Sequence, residues 1–141
     1  MSTDLRKTTI VSLGAALLLY RHCQRDGANV FCQVPIPMTR ASLGGSIEVP
    51  AVDGTRVRLT LPAGTQTGQQ FRIKGKGLID MRTNLRGDMY VQVAVETPVN
   101  LTRFQQELLR EFEEEGEKTE TSPGSADFLA RMREFWEDLA A

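Results

Sequence analysis

A chain of 141 residues with 40% apolar and 25% charged side chains can bury one modest core, but not two full domains. Its formal net charge of −1 excludes any bulk attraction to nucleic acid or to an anionic membrane. Two cysteines and one histidine are too few for a disulfide framework, and no Cys-x-x-Cys is present for a structural zinc site.

Residues 1–23 read unlike the rest. Arg6 and Lys7 precede an apolar run, Ile10 to Tyr20, with the outline of a signal-peptide core. As a helix it would span about 16 Å, against about 30 Å of membrane hydrocarbon. Leu19-Tyr20-Arg21-His22 offers no small-x-small cleavage site. Three readings stay open: an export or anchoring signal, a short helix packed on the domain, and a segment without a selected role.

A run of short strands is expected next, each stopped by Gly or Pro. Gln24-Arg25-Asp26-Gly27 is a turn, and Ala28 to Val34 a strand ended by Pro35 and Pro37. Val30, Cys32 and Val34 share one face of it, so Cys32 reads as a small core residue; zinc shared by His22, Cys23 and Cys32 is the alternative. Leu43-Gly44-Gly45 is a turn. Ile47 and Val49 form a half-buried strand, and Asp53-Gly54 makes a hairpin turn. Val57, Leu59 and Leu61 then alternate with Arg56, Arg58 and Thr60 until Pro62. Phe71 and Ile73 mark another strand. Lys74-Gly75-Lys76-Gly77 lacks the length and the closing Lys-Ser or Lys-Thr of a phosphate loop, so it reads as a basic turn. Met89, Val91, Val93 and Val95 give the clearest alternation in the chain, and Pro98 ends it. Strands at this spacing predict a mainly β fold, a small sandwich of two sheets over residues 24–100.

Helices are expected after it. Thr102 and Gln105 fit a capping box, and Leu101, Phe104, Leu108, Leu109 and Phe112 line one stripe of a helix over 101–115. A polar linker, 116–125, leads to a last helix, 126–141, with Ser125 as a candidate cap. Phe128, Leu129, Met132, Phe135, Trp136 and Leu139 share one side of that helix. Either stripe could pack on the β domain or serve a partner chain. Burying Phe104, Leu108, Leu109 and Phe112 contributes roughly 6–12 kcal/mol, against an association cost of ~4–15 kcal/mol. One stripe makes a marginal dimer, whereas two stripes used twice about a two-fold axis make a stable one plausible. Phe104, Leu108, Leu109, Phe112, Phe128, Met132, Phe135 and Trp136 are the candidate dimerisation residues.

No nucleophile–base set points to an enzyme, and Asp26, Asp53 and Asp88 read as turn acids. Glu107 to Glu120 make the helical region acidic, which reads as solvation, while Arg56, Arg58, Arg72, Lys74, Lys76, Arg82 and Arg86 make the β region basic. Only Phe71 and Tyr90 lie near those bases to stack on, so nucleic acid is not an expected partner.

Six motifs occur in order: Gln24-Arg25-Asp26-Gly27-Ala28-Asn29-Val30, Ala41-Ser42-Leu43-Gly44-Gly45, Pro62-Ala63-Gly64-Thr65-Gln66-Thr67-Gly68, Arg72-Ile73-Lys74-Gly75-Lys76-Gly77, Arg86-Gly87-Asp88 and Glu96-Thr97-Pro98. Over about four-fifths of its length the sequence thereby resembles the C-terminal part of the bacterial DnaJ co-chaperone (J-domain protein) family. The resemblance implies the second β-sandwich subdomain of the substrate-binding region, followed by a dimerisation helix and the closing helix of bacterial members. It also implies unfolded-polypeptide clients, dimers with itself or with full-length DnaJ, and a cytoplasmic location, with a membrane role not expected.

The family's His-Pro-Asp motif does not occur, since the only histidine, His22, is followed by Cys23. Its Gly/Phe linker, its Cys-x-x-Cys-x-Gly-x-Gly zinc repeats and most of its first subdomain are not matched either. No cofactor is therefore expected. The resulting expectation is a truncated family copy with a foreign N-terminus, which binds clients weakly, dimerises, and does not stimulate a DnaK-type ATPase. The alternatives are an envelope-associated β-domain with an export or anchoring segment, and a non-functional remnant.

Overall fold

Pairing of strands distant in sequence builds the first of two units. In the computed structural model, residues 22–141 are described, and the three readings of residues 1–21 lie outside them. The first unit ends at Pro98 and the second covers Val99–Ala141. Strands β1 (Cys23–Asp26), β2 (Asn29–Pro37), β6 (Met89–Glu96) and β5 (Gln70–Ile73) form one sheet in the order β1-β2-β6-β5. Strands β3 (Gly45–Pro50) and β4 (Arg56–Leu61) form a hairpin, the second sheet. The expected mainly β architecture of two small sheets followed by helices is present.

Alternation decides which side chains are inside. Val30, Cys32 and Ile36 of β2 face inward with Met89, Val91 and Val93 of β6, and meet Val49, Leu59 and Leu61 of the hairpin. Val91 and Val93 are fully buried. Ala41 of the short helix α1 (Met38–Leu43) completes this core. That helix replaces the expected plain approach to a Leu43-Gly44-Gly45 turn. Gly44 closes it at φ 78° with its N–H on the Arg40 carbonyl, a left-handed C-terminal stop that glycine adopts cheaply.

One expectation about β2 changes, and its pairing supplies the reason. It runs through Pro35 and Pro37 instead of stopping before them, and it pairs in parallel with β6. Val30 donates its N–H to the Asp88 carbonyl. By alternation, even-numbered residues of β2 direct their backbone groups to β6 and odd-numbered ones point away. Pro35 and Pro37 are odd, so their missing N–H groups cost the ladder nothing. Among the described residues β1 covers only residues 29–32 of that other side, which leaves both prolines without a described neighbouring strand.

In the second unit, helix α2 (Arg103–Lys118) opens with the expected capping box. The Thr102 hydroxyl accepts from the Gln105 N–H at 3.2 Å, and the Gln105 side chain accepts from the Thr102 N–H at 2.9 Å. The helix outruns residue 115, because the Lys118 ammonium reaches Glu115 at 3.3 Å and offsets acids at the negative helix end. Helix α3 (Pro123–Ala140) begins earlier than expected, with Ser122 rather than Ser125 before it and Pro123 in its first turn, where a ring without N–H is well tolerated. The expected linker 116–125 contracts to residues 119–122.

Candidate interaction surfaces

The described residues gather no three His, Cys, Asp or Glu side chains able to hold a metal ion. The sulfurs of Cys23 and Cys32 are bonded to each other, and in that form they offer no thiolate to a zinc ion shared with His22. Cys32 is buried in the core, as its strand face implied.

Polar side chains tie the long connection after β5 to the rest of the unit. The Asp88 carboxylate accepts from the Gly75 N–H at 2.8 Å and from Arg72 Nε at 2.7 Å, and Asn29 Oδ1 accepts from the Asp88 N–H at 2.9 Å. Asp53 caps its own turn by accepting from the Thr55 N–H at 3.0 Å, and meets Lys76 at 3.1 Å and Arg86 at 3.4 Å. Asp53 and Asp88 are thus turn and cross-loop anchors rather than catalytic acids. The Gly75 N–H, then Arg72, holds the Asp88 carboxyl below the usual carboxylate range. The Thr55 side chain and N–H, then Lys76, do the same for Asp53.

The sign of the pH dependence follows. Both groups bind protons more weakly folded than unfolded, so their stabilisation is complete above about pH 4–5 and is lost as pH falls through their depressed values. Urea midpoints measured from about pH 7 to about pH 3 are expected to fall on the acid side. Asp88→Asn is expected to lower the neutral-pH midpoint and flatten that acid decline. An undiminished acid slope in the variant would remove Asp88 from this role.

Three surface features are candidates for meeting another molecule. The first is a cleft of about 320 Å³ with mostly apolar walls, where Val34 and Pro35 of β2 approach Val49 and Pro50 of β3 beside Cys23 and Cys32. The second lies on the outer face of the four-stranded sheet. There Gln33, Gln92 and Gln70 stand in register across three strands, beside Phe31 stacked on Tyr90 at 4.8 Å. The third is the apolar face of the two helices. Phe104, Phe112, Phe128, Phe135, Trp136 and Leu108 are exposed, Phe104 by 67% and Trp136 by 61%, while Leu109 and Met132 are half-buried. None of the eight candidate dimerisation residues is buried within the chain, and Leu109, Phe112 and Leu129 line a wide opening between α2 and α3.

Sequence reasoning did not locate the cleft, because β2 and β3 meet there through tertiary packing. Nor did it find the exposed loop formed by Ile79, Met81 and Leu85, of which Met81 is 95% exposed. The apolar letters of that segment carried the available signal, but they lacked a period. No helix among the described residues is long and apolar enough to cross a membrane.

Two family models match. "DnaJ C terminal domain" covers residues 19–98, and "Chaperone protein DnaJ C-terminal region" covers residues 105–138. The chain is 57% identical over 126 residues to Chaperone protein DnaJ of Paramagnetospirillum magneticum, a match covering 88% of this chain and 33% of that protein. It is 59% identical over 124 residues to the protein of the same name from Rhodospirillum centenum, covering 88% and 32%. For that of Acidiphilium cryptum the identity is 61% over 117 residues, covering 82% and 30%. The chain spans about a third of the length of these curated relatives.

Proposed function

The chain belongs to the DnaJ C-terminal domain family, and on that premise we propose that it is a chaperone-type module that holds unfolded polypeptide passively and dimerises through its helices. The observation that carries this reading is the family match over residues 19–98, the same residues that build the apolar cleft. Val34, Pro35, Val49 and Pro50 give a client's apolar side chain a dry wall without demanding a sequence.

Binding is weak, because a cleft of this size takes one or two side chains, and association first costs an estimated ~4–15 kcal/mol. Phe104, Leu108, Leu109 and Phe112 of α2, with Phe128, Met132, Phe135 and Trp136 of α3, form the dimer surface, either with a second copy or with a full-length relative. No catalysis and no nucleotide enter this mechanism. It requires no stimulation of a DnaK-type ATPase, and it is placed in the cytoplasm.

The test is light scattering by a heat-unfolded client, with and without equimolar protein and with no ATP. Suppression of aggregation is expected, and Val34→Asp in the cleft should reduce it at least about threefold. A folded, soluble sample that leaves the scattering unchanged would exclude client holding.

A further inference from the structure

One chemically reactive pair remains outside the function described so far. Cys23 of β1 lies directly across from Cys32 of β2, with Cα atoms 4.0 Å apart. The strand register places them opposite each other. Because Val30 turns its N–H toward β6, Cys32 does so too, and Cys23 and Cys32 form a cross-strand pair without mutual backbone hydrogen bonds. In such pairs the facing side chains stand closest. Cys32 is buried, whereas Cys23 is partly open. β1 is a four-residue strand, paired on one side only among the described residues, and Gln24 to Asp26 are exposed. Both cysteines also wall the apolar cleft.

We propose that Cys23 and Cys32 form a reversible thiol–disulfide site that clamps the edge strand β1 to β2 and so fixes or frees one wall of the cleft. The co-reactant is a low-molecular-weight thiol, RSH, with its disulfide, RSSR. In reduction, a thiolate RS⁻ attacks Cys23 Sγ, the accessible sulfur. The Cys23–Cys32 bond breaks, and Cys32 leaves as a thiolate that takes up a proton. A second RS⁻ attacks the outer sulfur of the mixed disulfide, releasing RSSR and the Cys23 thiolate, which is protonated in turn. Two RSH become one RSSR, and two electrons reduce the protein disulfide to two thiols. Oxidation retraces these steps.

Once reduced, β1 is held, among the described residues, by the backbone bonds of a short edge strand and the packing of Cys23 on the core, the kind of segment that opens locally at low cost. The clamp itself stands on the register and the burial. Its consequence for the cleft rests on the client-holding reading above.

The full chain is equilibrated in glutathione buffers of varied ratio, and its thiols are counted by alkylation and mass spectrometry. Hydrogen exchange is followed in the oxidised and reduced samples. The two thiols are expected to disappear together. Amides of β1 should exchange at least about tenfold faster in the reduced form, with β6 amides unchanged. A fluorescein-labelled Leu/Val-rich heptapeptide is expected to bind the oxidised form several-fold more tightly. Cys23→Ser and, separately, Cys32→Ala should each give the fast exchange under oxidising conditions too. Failure to form the disulfide at any glutathione ratio, or equal β1 exchange in both forms, would overturn the proposal. If exchange responds but the peptide binds neither form, the disulfide clamp stands and client holding by the cleft fails.

Discussion

Gly87→Ala is expected to unfold the β unit or to lower its stability by about 3 kcal/mol or more. Three backbone segments meet at this point. Leu78 donates its N–H to the Ala28 carbonyl at 2.8 Å, Gly77 donates to the Gly87 carbonyl at 2.9 Å, and Gly87 donates to the Leu78 carbonyl at 2.8 Å. A Cβ on Gly87 would overlap the Ala28 carbonyl oxygen and lie 2.5 Å from its carbon. The obstacles are backbone atoms, which cannot rotate aside as a side-chain end can. Relief would require separating the β1–β2 turn from the loop that leads into β6, and so breaking the Leu78–Ala28 hydrogen bond and the neighbouring Asp88–Asn29 bond. Against a typical domain stability of about 5–15 kcal/mol the loss is severe. Gly54→Ala provides the contrast. Gly54 sits at φ 82° with open space around it, so it should lose only about 1–2 kcal/mol from the left-handed backbone. Urea unfolding followed by circular dichroism separates the two, and equal midpoints for both variants would refute the close-approach argument.

The second large effect concerns assembly. Leu108→Glu combined with Phe135→Glu is expected to turn a dimer into a monomer at micromolar concentration. Each side chain is worth about 1.5–3 kcal/mol when covered, and a two-fold axis counts each loss twice. Even a fraction of that total weakens association ~10²- to 10⁴-fold. Both side chains are exposed in the single chain, so helicity and the unfolding midpoint of the β unit should stay near their starting values. Sedimentation equilibrium gives the answer, and an unchanged mass distribution would move the dimer surface elsewhere.

Several signals that are local in cause were legible in the sequence, although Gln24 to Asp26, expected as a turn with Gly27, form strand β1 and leave only Gly27-Ala28 to turn. The alternation of Met89, Val91, Val93 and Val95 and the Thr102–Gln105 box depend on neighbours a few residues away, and both have their structural counterparts. Pro35 and Pro37 misled because a proline's cost depends on which side of a strand its nitrogen faces, and that side is set by β6, more than fifty residues later. Asp88 looked like a turn acid, yet it anchors Gly75 and Arg72 across the loop. The cleft required β2 and β3 to meet in space, and the Cys23–Cys32 pair required a register, so neither was legible as a pattern. The helical stripes were legible as apolar faces, and their exposure in the single chain is what the structure adds.

The two prolines on the side of β2 that no described strand covers also bear on how a client would leave. A peptide that adds itself to a sheet zips up one backbone bond after another, and it must unzip them all to escape. Here the odd-numbered positions beyond β1 offer an incoming strand a donor at Gln33 and none at Pro35 or Pro37. On the client-holding reading, a chain resting in the neighbouring cleft would meet few backbone donors there, and side-chain contact would carry most of its retention. On that reading, such a surface would favour brief, repeated visits over capture.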